Sequence, residues 1–209
     1  NQYTVILDSD DLPLPNTFNT LLSLCKKVDN DIVGIVVNIC DNNGQVFGKY
    51  YKDSFTDTIQ NAYLKNKVNS DKWIIWKTSF IKRFKFPIYD NEKFVPEGLL
   101  YNRFSRNGFK LTFFPVILLN ARYQNDGYSK NISKLKYNNF NGFMNYYSEN
   151  IFSESISINK YYLKSLLGLL MLILNKSKKP IIIILLLVVS LPILIFTLIF
   201  YKKFYYKSK

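Results

Sequence analysis

An apolar, β-branched run, Tyr3-Thr4-Val5-Ile6-Leu7, ends abruptly in the acidic stretch Asp8-Ser9-Asp10-Asp11. An unbroken run of this kind reads as a strand buried on both faces. Leu12-Pro13-Leu14-Pro15 stops it, and Asn16 or Thr17 can then cap a helix running through Lys27. Three carboxylates are thereby delivered to the carboxyl end of a buried strand, the place where open α/β sheets bind ligands. Crowding like charges there is costly unless a cation, or a metal carried by phosphate, neutralises them. On an extended backbone Asp8 and Asp10 point to the same side and can grip one hard cation together. The competing reading is an acidic turn that does no more than cap the next helix.

Composition narrows the function classes. The 209 residues allow one ordinary domain plus an appendage. The formal charge of +13 is unevenly spread: residues 1–159 hold 19 Lys and Arg against all 15 acids, whereas residues 160–209 hold 9 Lys and no acid. The basic part is also the most apolar, a combination that suits an anionic membrane surface rather than a nucleic-acid groove. Lys outnumbers Arg by 24 to 4, although base and phosphate readout leans on Arg, so no nucleic-acid partner is expected. The absence of histidine excludes a Ser-His-Asp triad, a Cys-His pair and any His-ligated zinc within these residues. Cys25 and Cys40 form no CxxC and read as buried free thiols.

Along the chain, Phe18, Leu21, Leu22 and Leu24 give the first helix an apolar side. Ile32–Ile39 is a second buried strand, and the turn at Cys40–Gly44 predicts a hairpin returning over Gln45–Tyr51. Thr56-Asp57 caps a helix to about Asn66; Trp73–Trp76 is a strand and Ser79–Phe84 a short helix. Phe86–Val95 is a loop, and Pro96 opens a helix from Glu97 to about Arg106 that Asn107-Gly108 ends. Phe109–Phe114 and Val116–Tyr123 are strands broken by Pro115. A helix follows over about Asn139–Phe152, then an interfacial helix over Tyr161–Leu174. Ile181–Phe200 contains 20 residues, the length that crosses a bilayer, with Tyr201, Tyr205, Tyr206 and four Lys as an interfacial anchor. The chain opens at Asn1 and almost at once enters a strand that needs neighbours on both sides. It therefore reads as the downstream part of a larger protein.

A second cluster is Glu92-Lys93-Phe94-Val95-Pro96-Glu97, with Asn102-Arg103 beyond it, and a third is Asp126-Gly127-Tyr128-Ser129-Lys130-Asn131. Glu97 falls at a helix start, where its charged form is stabilised and can take a proton from an attacking hydroxyl. Read alone, Glu97 is a good first-turn helix residue and the third cluster is a turn. In this order, with Asp71-Lys72, Lys77-Thr78-Ser79 and Phe86-Pro87 between them, the clusters resemble the family 2 glycosyltransferases of the GT-A fold. The resemblance covers about residues 1–150, and the chain also looks like the bacterial members that build surface polysaccharides, many of which carry a membrane-associated C-terminal tail.

That resemblance implies an α/β fold, with residues 1–155 as the C-terminal portion of a Rossmann-like GT-A domain. Residues 156–209 would follow as a membrane-associated tail, with an interfacial helix and a transmembrane helix over about 181–201. It implies an inverting, metal-dependent hexosyltransferase that uses a nucleotide sugar, most simply a UDP-sugar, and a glycan or lipid-linked acceptor. The enzyme would work on the cytoplasmic side of the cell membrane. Asp8 and Asp10 would be the metal pair for Mg²⁺ or Mn²⁺, with Asp11 beside them on the donor, and Glu97 would be the general base. Gly98 stands where the family often has Asp, which leaves Glu92 or Asp90 as alternative bases. Trp73, Trp76, Tyr101 and Arg103 are acceptor-side candidates, with packing under the sheet as the competing role for the aromatics. The family's nucleotide-binding half would precede Asn1, so these residues alone are expected to bind donor weakly. The alternative function is an inactive membrane-anchored fragment or interaction module derived from such an enzyme.

Overall fold

The structure, a computed structural model, describes residues 2–122, 131–151 and 160–177. The chain divides into two compact units, Asn1–Ile132 and Ser133–Lys209. The first is built on a six-stranded sheet: β1 (Tyr3–Val5), β2 (Leu12–Pro13), β3 (Gly34–Cys40), β4 (Phe55–Asp57), β5 (Trp73–Lys77) and β6 (Leu111–Asn120). The strand order is β1-β5-β3-β6-β2, with β4 alongside the first half of β6. Among these strands β3 and β6 pair in parallel, and every other pairing is antiparallel.

All seven residues of β3 are buried, as its Ile- and Val-rich composition requires. Ile35, Val37 and Ile39 face α1 (Thr17–Cys25) and pack with Leu21, Leu24 and Cys25. Val36 faces the other way, into a cluster with Ile59 and Ala62 of α2 (Ile59–Leu64), Phe80 of α3 (Thr78–Ile81), and Leu100 and Phe104 of α4 (Gly98–Arg106). At about 1.5–3 kcal/mol for each fully buried Val or Ile, this one strand is a large share of the unit's apolar stabilisation. Cys25 and Cys40 are buried free thiols.

Several expectations need correction. β1 is not a central strand buried on both faces: it is three half-buried residues at the sheet's edge, antiparallel to β5, and Ile6 and Leu7 beyond it are exposed. Tyr3 and Val5 pack on the α1 side, while Thr4 turns to the other face and shares a 2.8 Å hydrogen bond with the Thr78 hydroxyl. The polar residue in the run marks a strand with one apolar face. The hairpin over Gln45–Tyr51 stops after the Asp41–Gln45 and Ile39–Phe47 backbone bonds, because β5 and β6 already occupy both edges of β3. Pro115 does not split the last strand. The pairing slips between Val37 and Ile39, leaving Pro115 inside a bulge of one continuous strand. On α1 the apolar face is narrower than expected, since Phe18 and Leu22 are exposed. The Thr17 hydroxyl caps nothing there and donates instead to the Leu118 carbonyl at 2.7 Å, tying the helix to β6.

The second unit contains α5 (Ile132–Asn138), α6 (Phe140–Ile151) and α7 (Lys160–Lys176). α6 and α7 pack together, with Gly168 against the ring of Tyr147. The expected fold class is therefore corrected on two counts. The sheet is mixed and curled like a half-barrel rather than Rossmann-like, and among the described residues no helix is long and apolar enough to cross a membrane. α7, at 17 residues, spans about 25 Å and falls short of a hydrocarbon core about 30 Å thick. The span expected at 181–201 lies outside the described residues.

Two substitutions test this packing. A Cβ on Gly34 runs into the backbone carbonyl of Ile75 on the neighbouring strand, so Gly34→Ala is expected to lower stability in urea unfolding by about 1–3 kcal/mol. Gly168→Ala in an exposed helix would gain about 1 kcal/mol. Here the added methyl meets the Tyr147 ring, and thermal melts are expected to show a loss.

Candidate functional site

β1, β3 and β6 run in the same direction, so their carboxyl ends lie at one end of the sheet. The acidic stretch crosses that end, leaving β1 at one edge and entering β2 at the other. It is held on both sides. The indole N–H of Trp73 donates to the Ile6 carbonyl at 2.8 Å. Beyond the turn, Leu12 pairs with Asn120, and the backbone N–H of Arg122 donates to Asp11 Oδ1 at 3.1 Å. Between these anchors the Asp11 N–H donates to the Asp8 carbonyl at 3.2 Å, closing a turn. Asp8 and Asp10 are thus not side by side on an extended backbone; they sit at the start and the third position of a turn.

Asp8 is exposed, and Asp10 and Asp11 are half-buried. Burial pushes the Asp11 carboxyl above the usual carboxylate range; the Arg122 N–H pulls it down, and the charges of Asp8 and Asp10 push it up again. Among the described residues no group of three or more His, Cys, Asp or Glu side chains forms a metal cage. The donor set still fits a divalent cation that arrives with phosphate oxygens and water, since such a cation needs only one or two protein carboxylates. Asp8 and Asp10 would supply them, with Asp11 already engaged by Arg122.

Glu97 stands at the amino end of α4, its carbonyl accepting from the Leu100 and Tyr101 N–H groups. Its carboxylate is exposed, and Oε2 accepts the Tyr101 hydroxyl at 2.7 Å. Burial, the charge of Glu97 and that hydrogen bond all push the Tyr101 phenol up, with smaller contributions from Tyr63 and Asp71. It therefore stays a donor at any physiological pH. Arg103 is half-buried on the same helix; Glu92 is half-buried and Asp90 exposed in the preceding loop. α4 leads through Asn107-Gly108 into β6. The hydrogen bonds of the described residues join Glu97 with Tyr101, and Asp11 with Arg122, as two separate groups. The cluster at Asp126–Lys130 lies outside the described residues.

Two acceptor-side candidates turn out to be core. Trp73 is 5% and Trp76 2% exposed. Trp73 packs on the α1 side and holds Ile6, while Trp76 sits among Phe80, Tyr101 and Phe104 with ring centroids 5.3–6.0 Å away. Two further polar groups, Lys72 of the Asp71-Lys72 match and Asn38, have no site role expected from the sequence. Lys72 Nζ donates to the Phe47 carbonyl and Ser70 Oγ at 2.7 and 2.9 Å, and burial lowers its pKa to about 8 against the opposing pull of Asp71. Asn38, in the middle of β3, is completely buried. Its one signal in the sequence is a lone polar residue in an apolar run. No family model matches the chain, and no curated protein matches it in sequence.

The raised Asp11 carboxyl has a definite sign. The folded state binds that proton more tightly, so its contribution to stability is present at low pH and is lost as pH rises through the folded value. Asp11→Asn removes the charge yet keeps an oxygen for the Arg122 N–H. It is expected to raise the melting temperature at pH 7 and leave it unchanged at pH 3, as calorimetry at the two pH values would show.

Proposed function

We propose that this chain is the metal-binding and acceptor-side portion of an inverting glycosyltransferase, moving a sugar from a nucleotide sugar to a glycan or lipid-linked acceptor. One observation carries the reading: an acidic turn clamped across the carboxyl ends of β1, β3 and β6, with the Asp8 and Asp10 carboxylates making no hydrogen bond among the described residues. Paired carboxylates there suit a diphosphate-borne Mg²⁺ or Mn²⁺, which when bound neutralises charge on the departing nucleotide.

Glu97 is the general base in this reading. Tyr101 occupies one carboxylate oxygen and leaves the other for the proton of the acceptor hydroxyl. With the tryptophans taken up by the core, Tyr101 and Arg103 remain as the acceptor-side groups. Residues 160–209, with 9 Lys and no acid among many apolar side chains, support a reaction kept at an anionic membrane surface, on the cytoplasmic side where nucleotide sugars are made.

The test is release of nucleoside diphosphate from a panel of nucleotide sugars with Mn²⁺, at millimolar donor because these residues alone are expected to bind it weakly. Turnover is expected for at least one donor, abolished by EDTA and reduced at least about 100-fold by Asp10→Asn and by Glu97→Gln. Metal-independent turnover, or variants as active as the parent, overturns the assignment. Absence of turnover on every donor leaves the interaction module as the reading that stands.

A further inference from the structure

The slipped register between β3 and β6 gathers polar groups in a place where none is expected. Asn38 is 0% exposed, and neither its Oδ1 nor its Nδ2 has a hydrogen-bond partner among the described residues. Because both atoms are in this state, turning the amide over changes nothing. On the adjacent strand, Asn120 Oδ1 is buried and likewise unpartnered. Ile39 pairs with Leu119 and Cys40 with Asn120; since Ile39 and Leu119 both face α1, Cys40 and Asn120 face the opposite side. Asn38, two residues before Cys40, shares that side. Asn38 itself pairs with Ile117, three residues before Asn120, so the bulge sets the two carboxamides further apart than a direct cross-strand pair, a gap that one or two small molecules can bridge.

Tyr51 belongs to the same side. Its ring lies 6.3 Å from that of Phe113, which pairs with Val36, two residues before Asn38. The neighbouring Tyr50 hydroxyl donates to the Pro115 carbonyl at 2.7 Å, pinning this segment over the bulge. The Tyr51 hydroxyl is buried and has no partner among the described residues, and burial raises its phenol so that it stays neutral. Leaving such groups unpaired would cost about 1–3 kcal/mol each, a large charge against a marginally stable fold.

We infer that the β3–β6 bulge is an internal water site, in which one or two long-lived water molecules bridge Asn38, Asn120 and the Tyr51 hydroxyl. Water fits these groups better than an ion. Carboxamides and a phenol offer both donors and acceptors and no charge, and a buried water typically makes about three hydrogen bonds. The bulge supplies the room, because Pro115 has no N–H to give the ladder and the strands part there.

Water-selected NOESY and ROESY spectra of the labelled protein test the site directly. Cross-peaks from the Asn38 side-chain amide to water, with the sign of a slowly tumbling bound molecule, are expected; an amide without such a peak overturns the inference. A thermodynamic arm gives an independent answer. If water holds the amide, Asn38→Leu lowers the melting temperature by at least about 2–4 °C; if it does not, the apolar substitution raises it. In the cycle of Asn38→Ala with Asn120→Ala, the second substitution is expected to cost less once the first is made. Strictly additive shifts would refute a shared bridge.

Discussion

Everything in the first unit is fitted around a strand that has no free side. β3 carries helices on both faces and strands on both edges, so each of its seven residues is committed. A residue in such a position cannot change size, and Gly34 is the extreme case, held against the backbone of β5. Once both edges of β3 are taken, the chain after Cys40 has nowhere to pair and must leave the sheet. That is why turn chemistry suited to a hairpin leads only to an isolated bridge between Cys40 and Val46. The same crowding makes β6 serve three partners, with β3 along its length and β4 and β2 sharing the opposite edge.

The acidic turn depends on this frame. Its two ends are tied to strands on opposite sides of β3, through Trp73 on β5 and through Asn120 and Arg122 at the end of β6. The geometry of the carboxylates is thus set by the span of the sheet rather than by local preference. A turn held in this way can keep three like charges close together, which a free loop would relieve by opening. Glu97 is positioned by different means, with its carboxylate steadied by a side chain one helical turn later. Each half of the candidate site is therefore held by its own contacts.

Features that depend on local chemistry were legible in the sequence. The buried Ile-Val run of β3, the helix opened by Pro96 and closed at Asn107-Gly108, and the placing of acids at a strand's carboxyl end all follow from short-range rules. What was not legible depends on partners far away in the chain. Tyr3–Leu7 looks the same in sequence at an edge as at a centre, and only the pairing with β5 decides between them. Pro115 reads as a break until a neighbouring strand is seen to absorb it. Trp73 and Trp76 are attractive sugar platforms in isolation, and burial from both helical layers removes them. Asn38 was visible as a letter, but its isolation is a property of the packed structure.

The bond between Arg122 and Asp11 joins residues 111 positions apart. On a ribosome adding about 5–20 residues per second, the aspartates wait roughly 6–22 s for the segment that fixes them. For the first part of that interval they hang beside an apolar stretch that β5 has yet to pair. Their charge then does a different service, keeping the nascent strand hydrated until β5 emerges to take it up and β6 later fixes the turn.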